Sequence, residues 1–227
     1  MYKFYIWFIA NFIKKKKLRQ RFRRFKWYKH CIEKYKFGVS YSVFDGEELL
    51  EASIKSIRES VDYVNVVYQT ISWKGNPADE GLLPLLKKLK NTGLIDELIY
   101  FEPDLSKKAG LNERNKRNIG LKAAHKAGVD YFMPMDCDEF YKKDEIEYAK
   151  RVIFERNIKR SYVSICGYGT IPTQMSIIPC RASVQFFSKI NIFSYLKHDK
   201  RSIAVVDSTR ELSSSYFAKK FYINGCQ

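Results

Sequence analysis

The sequence predicts an α/β domain built on a mostly parallel sheet with helices on both faces, preceded by a basic N-terminal arm. Three observations lead there. Short apolar runs alternate with amphipathic stretches from residue 37 onward, which is the pattern of strand–helix–strand units. The 227 residues are 45% apolar and 29% charged with 11 Gly and 6 Pro, a globular composition and not a collagenous, coiled-coil or disordered one. The net charge of +16 is unevenly spread: residues 1–36 hold 13 Lys and Arg against one Glu, and the other 191 residues carry 28 basic and 24 acidic groups. The basicity therefore belongs to the arm, and the chain divides into an arm at 1–36 and a domain at 37–227.

Within the arm, the apolar and aromatic run 2–13 leads into Lys14-Lys15-Lys16-Lys17 and a further series of Arg and Lys up to Lys29. It is too short to span a bilayer, which takes about 20 apolar residues. Its charge follows the apolar run instead of preceding it, so a cleaved secretory signal is not expected. The favoured reading is an interfacial anchor: Phe4, Trp7, Phe8 and Phe12 sit at headgroup level while the cations meet anionic lipid, at about 1 kcal/mol per Lys or Arg. The other readings are a solvated basic extension and, because basic and aromatic residues interleave at 21–29, a nucleic-acid contact. Nucleic acid is not the partner expected. Five cysteines without any C-x-x-C spacing indicate buried, inert thiols in a reducing cytosol, not a disulfide framework or a zinc site. Together these readings place the protein in the cytoplasm, peripheral on the inner face of the cell membrane.

The domain opens with a strand at 39–44. Asp45 with Glu48 forms a capping-box-like start for a helix carrying Leu50, Ile54, Ile57 and Val61 on one face. A strand at 63–69 follows, then a helix rich in Leu82, Leu85, Leu86 and Leu89 that stops near Gly93, then a strand at 97–101. Asn112 is placed to cap the next helix, whose Ile119, Ala123, Ala124 and Ala127 precede Gly128. A strand at 131–135 empties into Asp136-Cys137-Asp138-Glu139. A charged helix at 144–156 and strands at 162–166, 182–187 and 202–207 complete the pattern, with an ambiguous stretch between the last two.

In a sheet of this kind ligands bind beyond the carboxyl ends of the strands, so the segments after Phe44, Gln69, Phe101 and Met135 should converge on one crevice. Asp136 and Asp138, at i and i+2 of an extended chain, fall on one side with Cα atoms about 6–7 Å apart, while Cys137 points away. Two hard oxygen ligands suit Mg²⁺ or Mn²⁺, a cation that completes its shell with water and substrate phosphate and assists a diphosphate leaving group. Arg114, Lys116 and Arg117 stand just upstream, where they could face phosphates. A helix cap or a solvated turn would explain the triplet equally well if it stood alone.

Several segments in order add to this: Ser42-Val43-Phe44-Asp45-Gly46-Glu47-Glu48, Ala52-Ser53-Ile54-Lys55-Ser56-Ile57, Lys116-Arg117-Asn118-Ile119-Gly120-Leu121-Lys122-Ala123-Ala124, and Gly128-Val129-Asp130-Tyr131-Phe132 before Asp136-Cys137-Asp138-Glu139-Phe140. This order resembles the nucleotide-binding half of a GT-A glycosyltransferase, is most similar to family 2-like enzymes of the bacterial surface-polysaccharide type, and covers residues 37–145. The resemblance implies a Rossmann-like GT-A fold with an acceptor-side part at 146–227. It implies that Phe44, Asp45 and Glu47 border the base and ribose of a nucleotide-sugar, that Arg117 and Asn118 lie near its phosphates or ribose, and that Asp138 is the main ligand of Mn²⁺ or Mg²⁺. Asp136 would hold metal or ribose. The family's acidic residue at the end of the second strand is replaced by Gln69-Thr70, and no clear catalytic base follows the triplet. Asp199, Asp207 and Glu211 are the available carboxylates, and His198 is a further metal-ligand candidate. The chain ends at Gln227, so a reduced acceptor-binding end is expected.

The implied activity is metal-assisted transfer of a sugar from a nucleotide donor to a lipopolysaccharide- or capsule-type glycan, or to a lipid-linked acceptor. A sugar-phosphate nucleotidyltransferase would need a Gly-rich basic loop where this chain has acidic Asp45-Gly46-Glu47-Glu48. A glycoside hydrolase would need carboxylates facing across a cleft, not two at one strand end. The alternative is a catalytically degenerate or non-catalytic adaptor at a membrane surface or on nucleic acid.

Overall fold

The computed structural model describes residues 34–164, 183–197, 209–213 and 220–223. Among these, the strands are β1 (Phe37–Val43), β2 (Tyr63–Tyr68), β3 (Glu97–Tyr100), β4 (Tyr131–Met135), β5 (Arg160–Ser164), β6 (Ser183–Lys189), β7 (Tyr195–Lys197), β8 (Glu211–Ser213) and β9 (Lys220–Ile223). The helices are α1 (Glu47–Ile57), α2 (Leu82–Asn91), α3 (Ala109–Lys126) and α4 (Lys143–Glu155). Seven strands form one sheet in the order β3-β2-β1-β4-β6-β5-β9, and β7 pairs with β8 in a separate ladder. The pairings β1·β2, β2·β3, β1·β4 and β5·β9 are parallel, whereas β6 runs antiparallel to both β4 and β5. This is the Rossmann-like, mostly parallel α/β architecture that the sequence predicts.

The two faces of the sheet are legible in β1 because successive side chains point to opposite sides. Tyr41 reaches Ser53 of α1, with the two hydroxyls 3.0 Å apart, and the Lys150 ammonium of α4 lies 4.7 Å over the Phe37 ring. Ser40 and Ser42 face the other way. Ser42 Oγ donates to Glu113 of α3 at 2.9 Å, and Gly120 of α3 comes so close that a β-carbon there would stand 2.9 Å from the Ser40 β-carbon. With helices on both faces, β1 is buried at six of seven positions and β4 at all five, so neither strand shows the alternation of a half-exposed one.

Several local expectations are corrected. Asp45 does not cap α1: Gly46 occupies that position at φ 72°, a left-handed conformation that suits glycine, and makes no side-chain cap. Asn112 lies inside α3 instead of before it, and its amide bridges the preceding loop through Asp104 N at 3.1 Å and Asp104 O at 2.9 Å. The buried face of α3 runs through Asn112, Lys116, Arg117, Gly120, Leu121 and Ala124, leaving Ile119, Ala123 and Ala127 half-buried. The apolar count alone misplaced that face, because the helix presents its polar half to the ligand edge of the sheet. β5 and β6 match expected strands, while β7 falls in the stretch that sequence left ambiguous, and β8 and β9 were not foreseen. The strand expected at 202–207, the arm at 1–33 and four of the five cysteines lie outside the described residues; Cys137 is buried, as expected.

Below the ligand edge, Leu121, Ala124, Phe132, Ile190, Leu196 and Leu212 form a buried cluster joining α3 and β4 to the β7·β8 ladder. Among the described residues no helix is long and apolar enough to cross a membrane.

The close approach at Gly120 generates a test. Its carbonyl accepts a 2.9 Å bond from Asn65 Nδ2, and an added methyl would meet Ser40 Oγ at 1.9 Å and Asn65 Oδ1 at 3.0 Å. Alanine gains about 1 kcal/mol of helix propensity over glycine, but overpacking of this kind costs about 1–3 kcal/mol. Gly120→Ala is therefore expected to lower stability in urea unfolding by about 1 kcal/mol; a stabilised variant would show that α3 does not sit this tightly on the sheet.

Candidate functional site

The chain runs from β1 outward through β2 to β3, then crosses back to β4 on the other side of β1. The direction of winding therefore reverses between β1 and β4, and a doubly wound sheet opens its ligand crevice at that switch point, outside the carboxyl ends of the strands. The loops that leave these strands meet there: a β-carbon on Gly46 would lie 3.5 Å from the β-carbon of Cys137. The segment 44–47 and the segment 136–139 thus share one edge, as the sequence requires for a common site.

Pro134 explains how β4 ends. β6 pairs with β4 only at Tyr131 and Phe132, so the missing N–H of Pro134 breaks no ladder bond. Into the gap where β6 has turned away comes the guanidinium of Arg210, which donates Nη2 to the Pro134 carbonyl and to Glu139 Oε2 at 3.0 Å. Its Nη1 donates to Glu139 Oε1 and stands 3.4 Å from Asp136 Oδ2. From the opposite side Arg117 Nη2 donates to Asp136 Oδ1 at 2.7 Å, while its Nε lies 3.0 Å from Glu113 Oε1. The result is a row of alternating charge: Glu113, Arg117, Asp136, Arg210, Glu139. Burial would push the Asp136 carboxyl up, but Arg117 and Arg210 together outweigh it and hold it below the usual carboxylate range. Burial likewise works against the Arg210 charge, yet Glu139 and Asp136 keep this guanidinium more firmly protonated than a free one.

Asp138 is different. Its side chain is exposed and makes no hydrogen bond or ion pair among the described residues. Between the two carboxylates, Cys137 is buried, and burial foremost, with Asp136 beside it, pushes its thiol up to about 12. Lys116 lies on the floor of the same edge, donating to the Val43 carbonyl at 2.8 Å beneath the Trp73 ring, whose centroid is 5.6 Å away. Desolvation brings its ammonium down to about 8, against a partial offset from Glu113.

The other predicted residues divide. Phe44 and Glu47 are half-buried and Asp45 is exposed, all on the loop and first helical turn beside segment 136–139. Asn118 is committed elsewhere: its amide takes Leu196 N at 2.7 Å and gives to Leu196 O at 3.0 Å, which fastens β7 to α3. Gln69 is buried at the end of β2, with Nε2 donating to Ile71 O at 2.7 Å. Glu211 is buried on β8, in register with Lys197 and next to Arg210. His198, Asp199 and Asp207 lie outside the described residues. Sequence reasoning missed Arg210 and Glu113 and gave Glu139 no role. Glu113 stands four residues before Arg117, a helical ion-pair spacing that could have found it; nothing around Thr209-Arg210-Glu211 singles out the arginine.

For a divalent cation this edge offers one unpaired carboxylate among the described residues, Asp138. Both oxygens of Asp136 are met by guanidinium groups, and among the described residues no cluster of three or more His, Cys, Asp or Glu could hold a metal. One carboxylate completed by water and substrate phosphate is a normal arrangement for Mg²⁺.

No protein-family model matches the sequence, and no curated protein is similar to it. Among solved structures, the chain is similar to the crystal structure of S. aureus TarS 1-349, at 14% identity and a TM-score of 0.45, over 68% of this chain and 47% of that one. The chain thus spans about half the length of that structure.

Two outcomes are expected from this geometry. Removing one partner of a buried ion pair leaves a charge uncompensated at a cost of about 3–5 kcal/mol, so Arg210→Ala should lose at least about 3 kcal/mol in urea unfolding. Arg210→Lys should recover only part of it, because an ammonium cannot make the fork to Glu139; full recovery by lysine would show that charge alone matters there. For Lys116, the folded chain releases a proton near pH 8 that the unfolded chain holds until about pH 10.5. Between those values the unfolded state binds more protons, so stability rises with pH. Comparing Lys116→Met with the parent by thermal melts across this window should show a flatter profile in the variant; identical slopes would contradict the buried ammonium.

Proposed function

We propose that this protein is a glycosyltransferase that takes a sugar from a nucleotide donor at the switch-point edge between β1 and β4 and passes it to a bacterial surface glycan or a lipid-linked acceptor. The observation that carries the reading is the placement of Asp138: an unengaged carboxylate at the end of a buried parallel strand, beside the loop that leaves the neighbouring strand. In this reading Phe44, Asp45 and Glu47 border the base and ribose, and Lys116 and Arg117 stand behind the phosphate end of the site. Asp136 serves as the anchor of Arg117 and Arg210 and keeps the loop that carries Asp138 in place. Asp138 would hold a divalent cation, Mn²⁺ or Mg²⁺, which when bound neutralises charge on the departing diphosphate.

The chain's own residues do the rest by position. Arg117 is fixed on both sides by Glu113 and Asp136, so its guanidinium does not reorganise when a donor arrives, and preorganised charge of this kind is what lowers a transfer barrier. Of the candidate bases Asp199, Asp207 and Glu211, Glu211 lies within the described residues, but it is buried and has a partner of its own, so the proton acceptor is not assigned to it. The basic arm at 1–36 would hold the enzyme at an anionic membrane face, where a lipid-linked acceptor is presented.

The test is donor hydrolysis and transfer with a panel of nucleotide-sugars in Mn²⁺. Asp138→Asn should lower turnover at least about 100-fold, the scale of losing one preorganised electrostatic group, and excess chelator should abolish it. Turnover unaffected by both would remove the metal from the mechanism. No turnover and no nucleotide binding in the parent chain would favour a non-catalytic adaptor.

A further inference from the structure

Between α3 and β7 the surface opens into a groove of about 530 Å³. Arg114, Asn115, Asn118, Lys122, Tyr195 and Lys197 line it, and among the described residues no carboxylate does. Arg114 and Lys122 are eight residues apart on one helix, about 12 Å along its axis. Unlike Arg117 and Arg210, which are taken up by Asp136 and its neighbours, these three cations form no ion pair with a carboxylate among the described residues. Arg114 only touches the amide of adjacent Asn115, at 3.0 Å. Two bonds between Asn118 and Leu196, one donated by each residue, hold the walls together. A second hollow of about 260 Å³ shares Lys122, passes His125 and reaches the turn at 191–194, where Ile192 and Phe193 are 75% and 83% exposed.

We infer that this groove binds phosphate groups of the acceptor, so that the chain receiving the sugar is a phosphate-bearing one lying along α3. Three cations that form no ion pair among the described residues, flanked by an aromatic ring and by the amides of Asn115 and Asn118, suit phosphate esters spaced along a chain. The groove begins one helical turn from Arg117 and ends at an apolar tip. That polarity matches a molecule whose reacting end is a sugar and whose far end is a lipid. The assignment of the ligand as an acceptor rests on the transferase reading; the binding of phosphate does not.

The experiment compares the full chain with its Arg114→Gln/Lys122→Gln/Lys197→Gln variant at physiological ionic strength. Two probes are used: sodium tripolyphosphate, and phosphatidylcholine vesicles containing phosphatidic acid. The basic arm is common to both proteins, so their difference reports the groove. Loss of three exposed charge contacts should weaken binding about tenfold. A loss seen with tripolyphosphate identifies a soluble phosphate chain as sufficient, whereas a loss confined to vesicles identifies a lipid headgroup. Equal affinity of parent and variant for both probes overturns the proposal. Lys122→Glu alone provides a second reading, expected to weaken whichever probe the triple variant loses. Binding of a nucleoside diphosphate should stay within about twofold in Lys122→Glu. A parent that binds phosphate through the groove but binds no nucleotide would leave the groove standing and overturn the transferase reading.

Discussion

The ligand edge of this domain is organised by the clamp of Arg117 and Arg210 on Asp136. Both arginine side chains are buried, at 5% and 2% exposure, and come from distant parts of the chain: one from the middle of α3, the other from the residue before β8. The clamp is therefore where α3 and the later segment are tied to one loop. A buried ion pair is weak evidence of stability, because desolvation offsets most of its Coulomb gain. Its consequence here is geometric. With Asp136 and Glu139 both fastened, segment 136–139 has little freedom, and Asp138, lying between them, is held at the edge without being engaged itself.

That division of labour refines what an Asp-x-Asp spacing means. Alternation puts two carboxylates on one side of an extended chain, and taken alone this predicts equivalent ligands. The neighbours of the strand break the equivalence. β6 leaves β4 after Phe132, Pro134 donates nothing on the vacated side, and the guanidinium of Arg210 enters to bond the Pro134 carbonyl and the first carboxylate. The second carboxylate lies beyond the reach of both arginines. One proline thus has two effects: it ends the pairing, and it leaves a carbonyl for a residue more than seventy positions away.

What could be read in the sequence was whatever depended on neighbours along the chain. The first seven elements of the alternating pattern, the carboxyl-edge position of Asp136 and Asp138 and the burial of Cys137 all follow from periodicity and the punctuation of apolar runs. The buried face of α3 could not be read that way, since half of it is Asn112, Lys116 and Arg117, polar groups buried because the opposite sheet edge supplies partners such as the Val43 carbonyl and Asp136. Asn118 belongs to the same class: its amide is matched to the main chain of β7, a strand too short and too polar to be recognised beforehand. Arg210 was invisible for a stronger reason. Its importance comes from a gap in a ladder, and a gap leaves no mark at the position that fills it.

The charge balance at the edge bears on how an anionic donor would be received. Glu113, Arg117, Asp136, Arg210 and Glu139 alternate in sign, so the row as a whole carries about one negative charge, which Lys116 nearly cancels. In the proposed reaction a diphosphate would meet cations whose fields are already largely compensated by carboxylates within 3.4 Å. Its own charge would then call for a further cation, for which Asp138 is the proposed seat. This supports metal assistance in the proposed reaction more directly than the spacing of two aspartates does. The groove along α3 would handle anions differently, since Arg114, Lys122 and Lys197 form no ion pair with a carboxylate among the described residues. A donor held through a metal and an acceptor held through bare cations would respond differently to chelator and to salt, the first losing binding with the metal and the second with ionic strength. Two anionic substrates could then occupy adjacent sites on one helix without competing for the same charges.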